Sequence, residues 1–466
     1  MLDVDVVIVI CFLIINLAVG LYYGRGVRNI KQYAIGDRNF STFTITATIV
    51  ATWIAGSDFA RTISGIYSGG ILYFIAGIGD AVNLLVVSLI FAPRMNQFFG
   101  NLSVAEAMGN IYGTQIRIIV ATSSIIITAG VVAIQIKVFA MLFSYLVGFS
   151  NIYTVFTSSI IVIAYSAFGG IRSVTFTDIL QFTTFGLVIP IIVFFMWKIF
   201  GNTHSIIDTL KHPLFNYEQI VDLNSSKLWK YFFLFFCFAI PGMNPVMFQR
   251  ILMSQNTRQI QISFFISALV ALVIYIFTSI IGVLIFSYNS DLEANNLLVY
   301  VIHNYFTVGI RGVLILGVLA MVMSTADSYL NSGAVLFAHD ICKPLNKTFS
   351  NELLISKIFS VILGIIAVLL TLSSDSILDL ILLTDNFYMP VVTVPLVLAI
   401  FGFRTSKKIV MISITLAVTS VVLWKIFIQP ITEIDSLIPG IFTNLTTILL
   451  LHYLIGSTNW KSKANN

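Results

Sequence analysis

Apolar residues run through this chain in long, nearly uncharged stretches divided by short polar breaks. About 20 apolar residues are enough to cross a bilayer. On that ruler, thirteen segments fall near 4–24, 40–67, 70–96, 116–147, 151–168, 174–199, 229–252, 259–288, 309–341, 354–373, 376–400, 408–427 and 438–457. The pattern predicts one all-α integral membrane domain over residues 1–466. The largest connection, 200–228, reads as a loop too short to fold by itself.

Two segments are interrupted. The second contains Trp53-Ile54-Ala55-Gly56-Ser57-Asp58, and the seventh contains Pro241-Gly242-Met243-Asn244-Pro245. Proline removes a backbone donor and obstructs the helix before it. The two breaks lie five segments apart, in helices of opposite direction. Matching broken helices in two inverted halves point to a transporter site at the membrane midplane. The halves are 40–199 and 229–400, with an extra helix at 4–24 and two more at 408–457. The plainer alternative is that Gly56 permits close packing and the prolines make a kink, which membrane helices tolerate.

Composition agrees with the pattern. With 58% apolar and 10% charged residues, the chain cannot cover a water-facing surface. The net charge of +5 reflects loop bias and not a nucleic-acid footprint. The acidic start, Met1-Leu2-Asp3-Val4-Asp5, lacks the positive region of a cleaved signal peptide, so the first segment is expected to stay as an anchor. Cys11, Cys237 and Cys342 are too few and dispersed for a disulfide framework or a metal site. Lys and Arg concentrate on one side. With the N-terminus outside, inner loops and helix ends hold 17 of the 25, Arg250 among them, and outer ones hold 6. Arg61 and Lys137 fall inside segments. The expectation is a plasma (inner) membrane protein, N-out and C-in.

Three polar patches carry candidate chemistry. Asp178 and Gln181 share one helix face just after the pair Gly169-Gly170, and an acid at membrane depth faces a partner, a cavity or an ion path. Ser324 and Thr325 lie midway along the ninth segment, where adjacent hydroxyls can offer oxygens to a hard cation. They can equally bond back to carbonyls one turn earlier. Asp327 follows them. Around the first break lie Ser57, Asp58 and Arg61, with Asp80 one helix later. Asp58 and Arg61 are i and i+3 and can neutralise each other; alternatively Asp58 or Asp80 meets the ammonium of a zwitterionic or cationic solute. Trp53 and Phe59 are by default core or lipid-facing. Lys137 is expected to pair with Asp80 or Asp327. Asp385, Asn386 and Tyr388 read as a polar gate or as a cap before Pro390, and the five scattered histidines receive no role.

Tyr165-Ser166-x-x-Gly169-Gly170-Ile171-x-Ser173, followed by Thr177-Asp178-x-x-Gln181, resembles the signature of the sodium:solute symporter family. Asn244-x-x-x-x-Gln249-Arg250 is similar to the inner end of that family's sixth core helix. Met323-Ser324-Thr325-Ala326-Asp327-Ser328, with Asp340-Ile341 further on, is similar to its eighth. The resemblance implies the leucine-transporter-like five-plus-five fold and alternating access driven by inward sodium. It implies a sodium site from the carbonyls of Ala51, Ile54 and Met321 and the hydroxyls of Ser324 and Thr325. In some members the aspartate matching Asp178 assists the ion or holds a second one. Asn244 matches a position that can contact solute, which adds to Ser57, Asp58 and Asp80. The Glu and Gln of the family's sugar carriers and the Trp of its proline carriers have no clean counterpart here.

The function expected is sodium-coupled uptake of a small organic solute, an amino acid such as proline in the first instance. Proton coupling, or a carboxylate, vitamin or sugar as cargo, stays open. A membrane sensor is the rival on the same scaffold, but about nine residues follow the last segment, too few for an attached kinase. A membrane enzyme would need a set such as His-x-x-x-His or Gly-x-Ser-x-Gly, and neither is present. A passive channel leaves the paired breaks unexplained.

Overall fold

The computed structural model describes residues 4–147, 151–201, 203–294, 297–345, 351–373, 377–432 and 435–459. Among them every regular element is helical. We label the longer helices α1 (Val4–Tyr23), α2 (Thr42–Trp53), α3 (Gly56–Val86), α4 (Thr114–Val147), α5 (Asn151–Phe200), α6 (Ser226–Ala239) and α7 (Pro245–Met253). They continue with α8 (Thr257–Tyr288), α9 (Ile310–Val335), α10 (Glu352–Ser373), α11 (Ile377–Ile400), α12 (Lys407–Leu423) and α13 (Leu437–Asn459). The side chains of Tyr165, Ser166, Asp385 and Asn386 lie outside the described residues.

Nine helices among the described residues are long and apolar enough to cross a membrane. The expected segments map onto these and onto shorter pieces, because both breaks are real interruptions. α2 ends at Trp53 and α3 begins at Gly56, while α6 ends at Ala239 and α7 begins at Pro245. Two of the helices contain a sharp turn. Gly70 (φ 58°) divides α3 and Gly170 (φ 61°) divides α5, close to the expected borders at 67/70 and 168/174. Only glycine enters that backbone region without penalty. At Gly170 the ring of Tyr33 also approaches so closely that a Cβ would collide with it.

α9 is the hub. The apolar window of its span is 89% buried, against 28% for α1 and 33% for the span that contains α12. It packs on α5, α4, α1, α10 and α2, while α3 packs on α8 and α6, and α12 pairs with α13. Lipid is as apolar as leucine, so apolar burial adds little between membrane helices; close packing and interhelical hydrogen bonds add more. The run Ser324-Thr325-Ala326 keeps α9 narrow enough for that approach.

Charged groups pin both ends of α9. Asp5 of α1 accepts the Gly309 and Gly312 N–H groups at 2.6 and 2.8 Å and binds Arg311 at 2.6 and 2.7 Å. Just past its other end, in the helical continuation Leu336–Cys342, Asp340 binds Arg117 (2.7 Å) and accepts the Ser103 hydroxyl (2.6 Å). His339 reaches Glu106 (3.1 Å) and Glu352 (2.7 Å).

Candidate functional site

The first break frees carbonyls, and α9 presents hydroxyls to them. Ile54 leaves the helical region (φ −86°, ψ 82°) and Ala55 is extended, so the last carbonyls of α2 lose their intrahelical donors. Ser324 Oγ lies 2.6 Å from the Ala51 carbonyl and 2.9 Å from that of Met321, with one hydrogen to share between them. Thr325 Oγ1 lies 3.4 Å from the Thr52 carbonyl and 3.2 Å from that of Met321. Back-bonding within α9 and contact with the break therefore coexist. The structure brings Ala51, Met321, Ser324 and Thr325 together and leaves Ile54 at the lip of the same break. A hard cation entering here would turn the hydroxyl hydrogens away and collect neutral oxygens, the donor set that suits a weakly held ion.

Asp178 stands in a different set of contacts. Its carboxylate accepts the Thr48 hydroxyl and the Arg250 guanidinium, the latter at 3.3 Å, and it makes no hydrogen bond to Ser324 or Thr325. Arg250 Nη2 also donates to Ser328 Oγ (2.6 Å) and Thr52 Oγ1 (3.1 Å). Counted by sequence among the inner basic residues, Arg250 is wholly buried. The signal for it was Asp178 itself, since a buried acid demands a buried partner. Gln181 is fully buried with its amide unbonded to any described residue. Asp327 accepts Thr177 at 3.3 Å.

The second break meets a different set of donors: where the first meets hydroxyls of α9, four carbonyls of the second accept from side chains of α3 and α11. Asn83 Nδ2 binds those of Phe238 (3.0 Å) and Ile240 (2.9 Å), Tyr388 binds that of Met243 (2.7 Å), and Thr393 binds that of Gly242 (3.0 Å). Met243 is held at φ 50°, outside the usual range for its type. Asn244 caps α7 by accepting the Met247 N–H at 2.8 Å.

Between the two breaks lies a cavity of about 280 Å³. Ser57, Asp58, Asp80 and Asn244 all line it, as do Ile54, Thr325 and the aromatics Trp53, Phe59, Tyr275, Tyr329 and Tyr388. The expected solute residues thus share one chamber, and Trp53 and Phe59 are chamber walls as well as packing residues. Sequence reading missed Gln135, Asn83 and Tyr275. Gln135 donates to Ser57 at 3.0 Å, and an amide in an otherwise apolar segment was its only signal. Asp58 accepts two N–H groups of Arg61 at 3.0 and 3.2 Å, and Asp80 lies 3.8 Å from the same guanidinium. The expected partner of Asp80 was Lys137; the structure gives it Arg61, one turn beyond Asp58.

The model of the sodium:solute symporter family matches residues 33–416. The high-affinity choline transporter 1 of Caenorhabditis elegans is 24% identical over 417 residues, covering 80% of this chain and 70% of that protein. That of Drosophila melanogaster is also 24% identical, covering 80% and 63%. The sodium/sialic acid symporter NanT of Aliivibrio fischeri is 23% identical, covering 76% and 73%. Among solved structures, a substrate-bound, outward-open sodium-coupled sialic acid symporter superposes with a TM-score of 0.85 at 18% identity, covering 97% of this chain and 98% of that one. A nucleobase-cation-symport-1 transporter in a closed conformation gives 0.56 at 12%, covering 91% and 95%. The leucine-transporter-like fold expected from the sequence is the fold observed. The match extends over most of the chain, and the broken helices and their facing hydroxyls lie inside it: this multi-pass membrane protein belongs to the sodium:solute symporter family.

Proposed function

We propose that the protein imports a small organic solute, driven by sodium and working by alternating access. In this reading it sits in the plasma (inner) membrane with its N-terminus outside, and the repeats 40–199 and 229–400 rock against each other. Thr325 carries the reading. Its hydroxyl lies between the Thr52 carbonyl at the first break and the Met321 carbonyl of α9, and the same residue lines the cavity. An ion held by Ala51, Ile54, Met321, Ser324 and Thr325 would order the break that forms one wall of the solute chamber. Ion and solute then favour one conformation together, and their binding is reciprocally coupled. Asp178, held by Arg250 and Thr48, is a station beside that site and not part of the solute wall. Family membership and relatives that are transporters support a carrier and not an enzyme. An amino acid such as proline is one cargo that fits a chamber of this size.

The test uses the full chain in proteoliposomes, with radiolabelled candidate solutes and an imposed gradient of sodium, potassium or protons. Accumulation driven by sodium alone is the expected result. Equal accumulation under a potassium or proton gradient would overturn the reading.

A further inference from the structure

The cavity does not treat charges evenly. Among the described residues its wall holds two carboxylates, Asp58 and Asp80, and one cation, Arg61. With all three ionised the wall carries one net negative charge. Asp58 accepts both the Nε–H and an Nη2–H of Arg61, at 3.2 and 3.0 Å, and the ring of Phe238 covers the guanidinium face with its centroid 4.6 Å away. Arg61 is therefore spoken for on one edge and one face. Asp80 receives only a 3.8 Å approach from it and no hydrogen bond from any described residue. A carboxylate that faces a chamber without a hydrogen-bond donor of its own keeps its acceptor sites open, and a cation arriving there gains what the protein has not supplied. The remaining walls are aromatic: Trp53, Phe59, Tyr275, Tyr329 and Tyr388 present π faces or edges to the same space. Aromatic walls with an acid are the chemistry that recognises substituted ammonium groups.

We propose that the solute carried through this site is an organic cation, with Asp80 as the carboxylate that recognises its ammonium group, Arg61 as the residue that positions Asp80, and Asp58 as the residue that neutralises Arg61. An acid-bearing solute must compete with Asp58 and Asp80 for Arg61, the one cation among the described residues of the wall. A zwitterion such as proline can meet Asp80 but leaves its own carboxylate without a partner. The chamber, at about 280 Å³, is at the small end for ligand sites, so a compact cation fits. Two of the relatives are named choline transporters and a third is named for an acidic sugar. The family therefore does not decide the charge; the residues in this wall do.

This inference rests on the transport reading, and its test is chosen so that the two fail separately. Equilibrium binding to the purified full chain in sodium is measured for choline, its uncharged isostere 3,3-dimethyl-1-butanol, proline and acetate. Choline is expected to bind at least about tenfold more tightly than the isostere and more tightly than proline or acetate. Asp80→Asn is expected to bring choline and the isostere to near equality, a change that misfolding does not produce. Asp80→Glu keeps the charge and should retain the preference for the cation. Stabilisation of each variant by sodium on heating verifies the fold and the ion site. Acetate or proline bound in preference to choline, or undiminished discrimination in Asp80→Asn, would overturn the inference and leave sodium-driven transport standing. Tight, Asp80-dependent choline binding without sodium-driven uptake would leave Asp80 standing as the group that recognises the cation and sink the transport reading.

Discussion

Arg250 and Asp178 meet at 3.3 Å with both side chains wholly buried. The arginine stands on α7, just beyond the second break, and the aspartate on α5, just beyond the turn at Gly170. One guanidinium nitrogen also touches Ser328 of α9 and Thr52 of α2. Four helices thus converge on one charge, beside the hydroxyls of the first break. Asp178→Asn leaves the guanidinium buried without its counter-charge, which costs roughly 3–5 kcal/mol when one partner of a buried pair is removed. The expected outcome is a lower unfolding temperature and a turnover reduced more than solute affinity. Adding Arg250→Gln should recover part of the lost stability. Wild-type turnover and stability in the single variant would make the pair idle.

The hydroxyls of Ser324 and Thr325 make a second outcome calculable. If each hydroxyl contributes about 1.5 kcal/mol to holding a charged partner, losing two costs about 3 kcal/mol, or roughly a hundredfold in affinity. Ser324→Ala with Thr325→Ala should therefore raise the sodium concentration for half-maximal transport by about two decades. The single variants should each raise it by about one. Sodium titrations of uptake measure this directly. An unchanged midpoint in the double variant would place the ion elsewhere.

How much of this was legible along the chain follows from the range of each interaction. The pair Gly169-Gly170 announced a turn because the cause is local, a positive φ at Gly170, whereas the Tyr33 ring that closes on it comes from far along the chain. Pro241 and Pro245 announced the second break for the same kind of reason. Ser324 and Thr325 were visible because two hydroxyls at membrane depth stand out, and Asp58 and Arg61 because they are one turn apart. The partners were not visible. Arg250 looks like a helix-end cation until α5 is packed beside it. Asn83, 155 and 157 residues from the carbonyls it binds, looks like a stray amide. The two breaks look alike in sequence, yet only folding reveals that hydroxyls of α9 meet the first while Asn83, Tyr388 and Thr393 bind four carbonyls of the second.

Asp5 supplies a third expectation, this time for α1. Its carboxylate caps the start of α9 through Gly309 and Gly312 and binds Arg311. An acid at a helix N-terminus also answers the dipole there. Asp5→Ala removes charge-assisted bonds worth roughly 1.5–3 kcal/mol each when buried. Thermal stability should fall by several degrees while the sodium midpoint stays at the wild-type value, since Ser324 lies more than two turns further along α9. A shifted sodium midpoint with intact stability would reverse that assignment.

Glu106 gives the pH dependence its sign. It lies in the helix Val104–Tyr112, between two membrane spans, and accepts the Leu102 N–H at 2.6 Å. Burial alone would push its carboxyl up. The hydrogen bond and charge of His339, the Leu102 amide and the charge of Arg117 outweigh that and hold it below the ordinary glutamate value of 4.5. A carboxylate depressed in the folded state contributes stability that is fully present above its unfolded value and is lost as pH falls through the folded one. The unfolding temperature of the wild type should accordingly drop as the medium is acidified below pH 4.5. Glu106→Gln carries no proton to exchange at that position. It should start less stable at neutral pH and lose less on acidification, so that the two profiles converge. Parallel profiles across the acid range would mean that Glu106 titrates alike in the folded and unfolded chains, and that the Glu106–His339–Glu352 chain does not clamp this end of α9.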